Sequence, residues 1–226
     1  PKDARSHYLP GMIEFFLAFA VFLGAHSIPA QPALRSRLVS RLGETNYLIL
    51  YALLSLALLI WLISAAVRAP TILLWSTELW SYHLALAAML PASWLLVGGL
   101  ATANPFSISL NRGPFRPDHP GIVGWVRHPV LWGFAIWAAV HVIANGDLVA
   151  LIMFGGFLLF ALGGMKILNR RKERQLGDEW QGLQPTGRRW SVGQLLATFG
   201  LGSLFYMAAL HAHPMWGPNV AAVALS

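Results

Sequence analysis

The sequence predicts an all-α fold, a polytopic transmembrane helical bundle of about six spans with a cytoplasmic interfacial segment. Three observations predict it. Hydrophobic residues make up 56% of the chain and charged residues only 11%, which is too apolar for an ordinary soluble domain. Apolar runs able to cross ~30 Å of hydrocarbon recur about six times. The Lys and Arg residues fall in short connections between those runs, the pattern that orients a membrane protein. With no water in the bilayer core, each span must satisfy its own backbone, so runs of this length are helices.

Pro1 to Gly11 ends in Pro-Gly and is read as a tail or processed remnant outside the fold, leaving 12–226 as a single domain. The first span runs from about Met12 to Ile28, with Glu14 near its start and His26 near its end; Pro29 and Pro32 stop it. A connection follows with Arg35, Arg37 and Arg41. Tyr47 to Val67 is free of charge and forms the second span, and Leu79 to Ala103, with Pro91 as a kink, forms the third. Thr102 to Asp118 is rich in Asn, Pro and Gly, so it is expected to be a folded loop packed at the interface. The fourth span extends from near Gly121 to Ala144, bent at Pro129. Asn145-Gly146-Asp147 is a tight turn. Leu148 to Met165 is the fifth span, whose paired glycines, Gly155-Gly156 and Gly163-Gly164, suit close helix packing. Lys166 to Trp190 is the interfacial helix and loop, and Val192 to Ala212 is the sixth span.

Alternating six spans puts thirteen of the sixteen Lys and Arg residues on one side. That side is expected to be the cytoplasm, with both termini periplasmic in a bacterial inner membrane. The net charge of +7 is spread over these connections rather than gathered on one face, so a nucleic acid is not among the expected partners. The chain has no Cys, which excludes disulfides, thiolate ligation of metal and a Cys nucleophile. Any metal or cofactor must therefore rest on His or carboxylate.

Ionisable groups in a membrane span are costly and mark functional sites. The stretch Gly124 to Asp147 puts three, Arg127, His128 and His141, next to or inside its apolar run. The two histidines are thirteen residues apart, about 220° of rotation and ~20 Å of rise on an ideal helix, so they are expected to do different work. At Arg127-His128-Pro129 the Pro removes a backbone donor and leaves a carbonyl beside a guanidinium and an imidazole. Such a corner either holds an anion or caps the bundle. Glu173, Asp178 and Glu179 form a solvated face or pair with nearby Arg residues, and one of them could reach the corner. Four histidines lie in spans, of which His83 and His211 sit near span ends where water reaches. His26 follows Phe19 and Phe22, and His141 follows Phe134 and Trp137, surroundings suited to a flat apolar cofactor held by axial imidazoles. By depth alone, His83 is a better match for His141 than His26 is.

The combination of His26-Ser27 with Ala33 to Arg35, Arg127-His128-Pro129 with Gly133 and Trp137, His141, Gly177-Asp178-Glu179-Trp180 and Ala212-His213-Pro214 resembles the NnrU family, which includes the plastid zeta-carotene isomerases. The resemblance covers nearly the whole chain from Met12 onward. It implies a heme b protein of the membrane, with His26 and His141 as iron ligands and Arg127, His128 and Trp137 at the cofactor. The implied function is either heme-dependent cis-trans isomerisation of a polyene or a role in denitrification and nitric oxide handling. The expected partners are the lipid bilayer and an apolar small molecule or diatomic gas, with a homo-oligomer left open. A more distant resemblance, also through Arg-His-Pro, is to isoprenylcysteine carboxyl methyltransferases and implies an S-adenosylmethionine site. This chain departs from that pattern at Leu131, and at Leu183 and Gln184.

Overall fold

The computed structural model describes residues 2–27 and 31–215, so the expected stop at Pro29 lies outside the described residues. The described chain is helical with turns, no strand and one isolated bridge, Leu73 to Asp147. It forms two compact units. One runs through Leu73 and takes in Asp147–Val149; the other is Leu74–Gly146 together with the chain from Ala150 on.

In the first unit, α1 (Lys2–His26) packs on α3 (Glu44–Arg68), and the short basic helix α2 (Pro32–Leu42) joins them. The stretch set aside as a tail is helical from Lys2, and Pro10 lies within α1. Phe15 and Ala18 of α1 and Leu62 and Ala65 of α3 are fully buried. Small residues at two of these four positions let the helices approach, and the larger side chains fill the space between them. Glu14, the acidic group of the first span, is matched within the unit: Arg68 Nη2 donates to its Oε1 at 2.6 Å, and Trp61 Nε1 at 3.2 Å. Gly43, at φ +77°, turns α2 into α3 through the left-handed region that Gly occupies without strain.

The second unit is built on α4 (Leu79–Ala101), against which α5 (Pro129–Asn145) and α8 (Val192–Ala212) pack. Gly133 of α5 lies so near α4 that a Cβ there would stand 2.8 Å from the Ala92 carbonyl oxygen, and one at Gly202 of α8 would stand 2.9 Å from Trp94. Trp94 Nε1 donates to Ser203 Oγ at 2.9 Å and Tyr206 Oη to the Leu86 carbonyl at 3.2 Å, cross-helix bonds of the kind that hold spans together in lipid. Within α8, a π-helical stretch, Leu196–Leu201, carries the fully buried Thr198 toward Gly98. The remaining elements are α6 (Leu148–Leu176) and the short α7 (Glu179–Gly182).

The six apolar segments appear as six helices. Helices α3, α4, α6 and α8 are long and apolar enough to cross a membrane, while α5 and the Pro10–His26 part of α1 are apolar but shorter. Large apolar side chains point outward along them, with Leu159 72% and Leu204 67% exposed, as expected where the solvent is lipid.

Three expectations need correction. Pro129 does not bend a span. It is the first residue of α5, after the 3-10 turn Gly121–Gly124 and an irregular 125–128. The ring of Pro129 drives His128 out of the helical region, to φ −120°, ψ 62°, so the helix cannot extend backwards through it. The fifth span and the interfacial helix are one element, because no Pro or capping residue interrupts Leu148 to Leu176 and the polar end continues the same spiral. Finally, Gly163 and Gly164 meet nothing within 4 Å, and Gly155 meets only Leu151 of its own helix. Close packing falls instead at Gly133 and Gly202, which lie where another helix crosses.

Candidate functional site

The loop that follows α4 has its own supports. Asn104 Oδ1 accepts from the Phe106 N–H at 2.9 Å, and Asn111 ties Ala101 to Gly113. This sinks Phe106 to full burial against Ile122, Val123 and Trp180. Trp180 reaches that core because Gly177, at φ +53°, ends α6 in a left-handed turn where only Gly is unstrained. The Gly177-Asp178-Glu179-Trp180 motif is thus a turn that drops an indole into the core.

Arg127 lies over this core. Its guanidinium carbon is 5.1 Å from the Trp180 ring centre and 5.5 Å from that of Phe106, within cation–π range. Nη1 donates to Asn169 Oδ1 at 3.0 Å and Nη2 to Gln184 Oε1 at 2.9 Å, while the Arg127 carbonyl accepts from Asn104 Nδ2 at 2.9 Å. Among the described residues no carboxylate pairs with Arg127, so Glu173, Asp178 and Glu179 do not serve the corner. His128 is 7% exposed and its Nδ1 has no hydrogen-bond partner. Burial, and then the adjacent Arg127 charge, hold its imidazole below the ordinary value, against a hydrogen bond with Asn169 that raises it. Burial in a low dielectric disfavours the charged form, so His128 is neutral near pH 7. The corner joins the loop, the start of α5, the end of α6 and the α7 segment.

His141 stands thirteen residues on, in the second half of α5. Its Nδ1 donates to the Trp137 carbonyl at 2.7 Å, which leaves Nε2 as the ring nitrogen available to a ligand. Aromatic rings surround it. Phe154 lies at 4.9 Å and Trp137 at 5.1 Å between ring centres, and Trp137 in turn contacts Phe157 at 5.9 Å and Phe134 at 6.1 Å. At the end of α8, the His213 ring centre is 6.3 Å from that of His141. His83 is exposed on α4 and His211 on α8.

His26 belongs to the first unit and repeats the local geometry of His141. Its Nδ1 donates to the Phe22 carbonyl at 2.8 Å, its ring stacks on Phe22 at 4.1 Å, and Tyr51 meets it edge-on at 6.1 Å. Among the described residues no group of three or more His, Cys, Asp or Glu side chains is placed to hold a metal ion.

Compared with known protein families, residues 14–220 match the family described as NnrU protein. The chain belongs to the NnrU family. The match runs through both units and includes every motif on which the resemblance was drawn, from His26-Ser27 to Ala212-His213-Pro214. No curated protein and no solved structure matches this NnrU chain. Reading the sequence missed three residues at these sites: Asn169 and Gln184 at the Arg127 corner, and His213 beside His141. His213 carried a signal, the His-Pro that closes the last span; the two amides carried none, because an isolated Asn or Gln gives no sign of the guanidinium it faces.

Proposed function

We propose that this NnrU protein is a heme b protein of the membrane in which His141 holds the iron. The observation that carries the reading is the imidazole pair on α5 and α8. His141 and His213 lie 6.3 Å apart between ring centres, near enough that both imidazoles could hold one iron between them. The donor set suits a heme better than a bare ion. A porphyrin would bring its own nitrogens, so His141 and one further imidazole would be enough to hold its iron. The Trp137 carbonyl orients the His141 ring and raises the basicity of Nε2, and the rings of Trp137, Phe154 and Phe157 supply flat apolar walls. When bound, the iron supplies redox or Lewis-acid chemistry that side chains lack. The protein's part is to fix the ring and exclude water. The substrates that fit such walls are an apolar polyene, for cis-trans isomerisation, or a diatomic gas such as nitric oxide, in keeping with a role in denitrification.

Absorption spectra of the purified protein, oxidised and reduced, test this. The expected result is a Soret band that His141→Ala abolishes. No band after heme supplementation, or an unchanged band in His141→Ala, overturns the reading. The second ligand is decided by His213→Ala and His26→Ala, the latter being the partner that the family resemblance implies. S-adenosylmethionine is expected not to bind in calorimetry, because both ends of the Arg127 guanidinium are engaged by Asn169 and Gln184.

A further inference from the structure

We propose that the second unit binds one anionic phospholipid at the end of α4, its phosphate in a cavity of mixed lining and an acyl chain in the apolar groove beside it. The cavity has a volume of about 280 Å³ and is lined by the polar Thr102, Arg116, His119 and Gln194 and the apolar Pro114 and Phe115, among others. The groove, about 390 Å³, is lined by Val97, Leu100, Ala101, Leu110 and Asn111. The two share Ala101 and Asn111, so a single molecule can occupy both.

Their order along α4 is that of an amphiphile in a bilayer. Val97 to Ala101 is the last turn of a helix apolar enough to span, and Thr102 begins the polar loop. The groove therefore lies on the hydrocarbon side of the cavity. The cavity offers donors of several kinds. Arg116 Nη2 and His119 Nδ1 share one oxygen of Asp118, at 3.0 and 2.7 Å, which leaves the other guanidinium N–H groups of Arg116 for a second anion. The Arg116–Asp118 pair is solvent-exposed, and such pairs are weakly held, so a phosphate can draw on Arg116. Thr102, only 3% exposed, lines the same cavity and its hydroxyl has no partner. The first turn of the long helix α8 opens there; Ser191 and Gln194 form a capping box that engages each other's N–H groups, so what the turn adds is the positive end of the helix dipole. Gln194 Nε2 binds the His119 carbonyl at 3.0 Å and fixes this wall to the loop.

Native mass spectrometry of the detergent-solubilised protein with added phosphatidylglycerol or phosphatidylcholine tests the site. Phosphatidylglycerol is expected to be retained about tenfold better, a difference equivalent to one decade in affinity. Arg116→Gln, at the headgroup, and Ala101→Phe, at the junction, should each abolish the preference, whereas Arg112→Gln, outside the cavity, should keep it. Circular dichroism and elution volume establish that the variants are folded. Equal retention of the two lipids, or an undiminished preference in both cavity variants, overturns the proposal. Complete displacement by inorganic phosphate also overturns it, since a free anion would then account for the cavity alone. None of these outcomes depends on heme, so the proposal stands or falls apart from the reading of His141.

Discussion

Replacing Arg127 with Met distinguishes a corner that holds the bundle together from one that holds a ligand. Met keeps the length of the side chain and removes the charge and the fork. The change deletes two hydrogen bonds from a charged group, to Asn169 and Gln184, at about 1.5–3 kcal/mol each. It also deletes the contacts with Trp180 and Phe106, together about 1 kcal/mol. Part of this is regained, because Arg127 is half-buried and water can reach the freed amides, and because the Met side chain packs against the rings. A net loss of about 3 kcal/mol is expected, which in a chain of this size lowers the unfolding midpoint by roughly 6–12 °C. Thermal unfolding in detergent, followed by tryptophan fluorescence, reads it directly, since Trp180 is part of the site. Arg127→Lys should fall between the two, because a single ammonium cannot span two amides as a planar fork does. An Arg127→Met protein with the wild-type midpoint would refute the architectural reasoning.

The remaining predictions concern packing, protonation and the membrane ion pair. Gly133→Ala places a methyl against the Ala92 carbonyl and should cost about 1–3 kcal/mol, seen as a lower unfolding midpoint, whereas Gly164→Ala, in open space, should be neutral or slightly stabilising. The depressed His128 imidazole makes the fold sensitive to acid. Below its ordinary value of 6.5, the unfolded chain takes up a proton that the folded residue refuses, so stability falls as pH drops and levels once the folded group titrates. In His128→Gln the slope of unfolding midpoint against pH just below the ordinary value of 6.5 should flatten, and an unchanged slope would assign the sensitivity elsewhere. Glu14→Gln should lower the midpoint less than Arg127→Met does, because Trp61 keeps an acceptor. Glu14→Leu should lower it further, because Arg68 and Trp61 both lose theirs.

The spans were legible because hydrocarbon imposes one requirement on length and composition, and Tyr47 to Val67 meets it without reference to any neighbour. Where polar residues begin, the sequence is weaker. Nothing in Lys166 to Leu176 says whether a helix restarts or continues, and it continues. Pro129 is ambiguous by nature, since the same ring kinks a helix from inside and begins one from its first turn; the tie is broken by Gly121 to Arg127, which folds under the loop. The glycine pairs of α6 misled because Gly permits close approach without creating a partner, whereas Gly133 was marked only by standing beside Arg-His-Pro. Of the sites, His26, Arg127, His128 and His141 could be found as costly ionisable groups. The amide partners could not, because Asn169 and Gln184 are brought in by tertiary structure from 42 and 57 residues away; His213, 72 residues from His141, was marked only by the His-Pro that closes the last span.

The start of α5 at Pro129 has a consequence for how deep the corner lies. Its 17 residues rise only about 26 Å, short of the ~30 Å of hydrocarbon a span must cover. The bilayer can thin to meet a short helix, or protein can extend the span into the remaining depth. The chain that meets the start of α5 is Arg127 and His128, tied there by the hydrogen bond from Asn104 to the Arg127 carbonyl. A half-buried guanidinium beside a short span meets little water and does better with partners inside the protein. Two amides and two aromatic faces are what it finds, and the shortness of α5 is the reason they are needed.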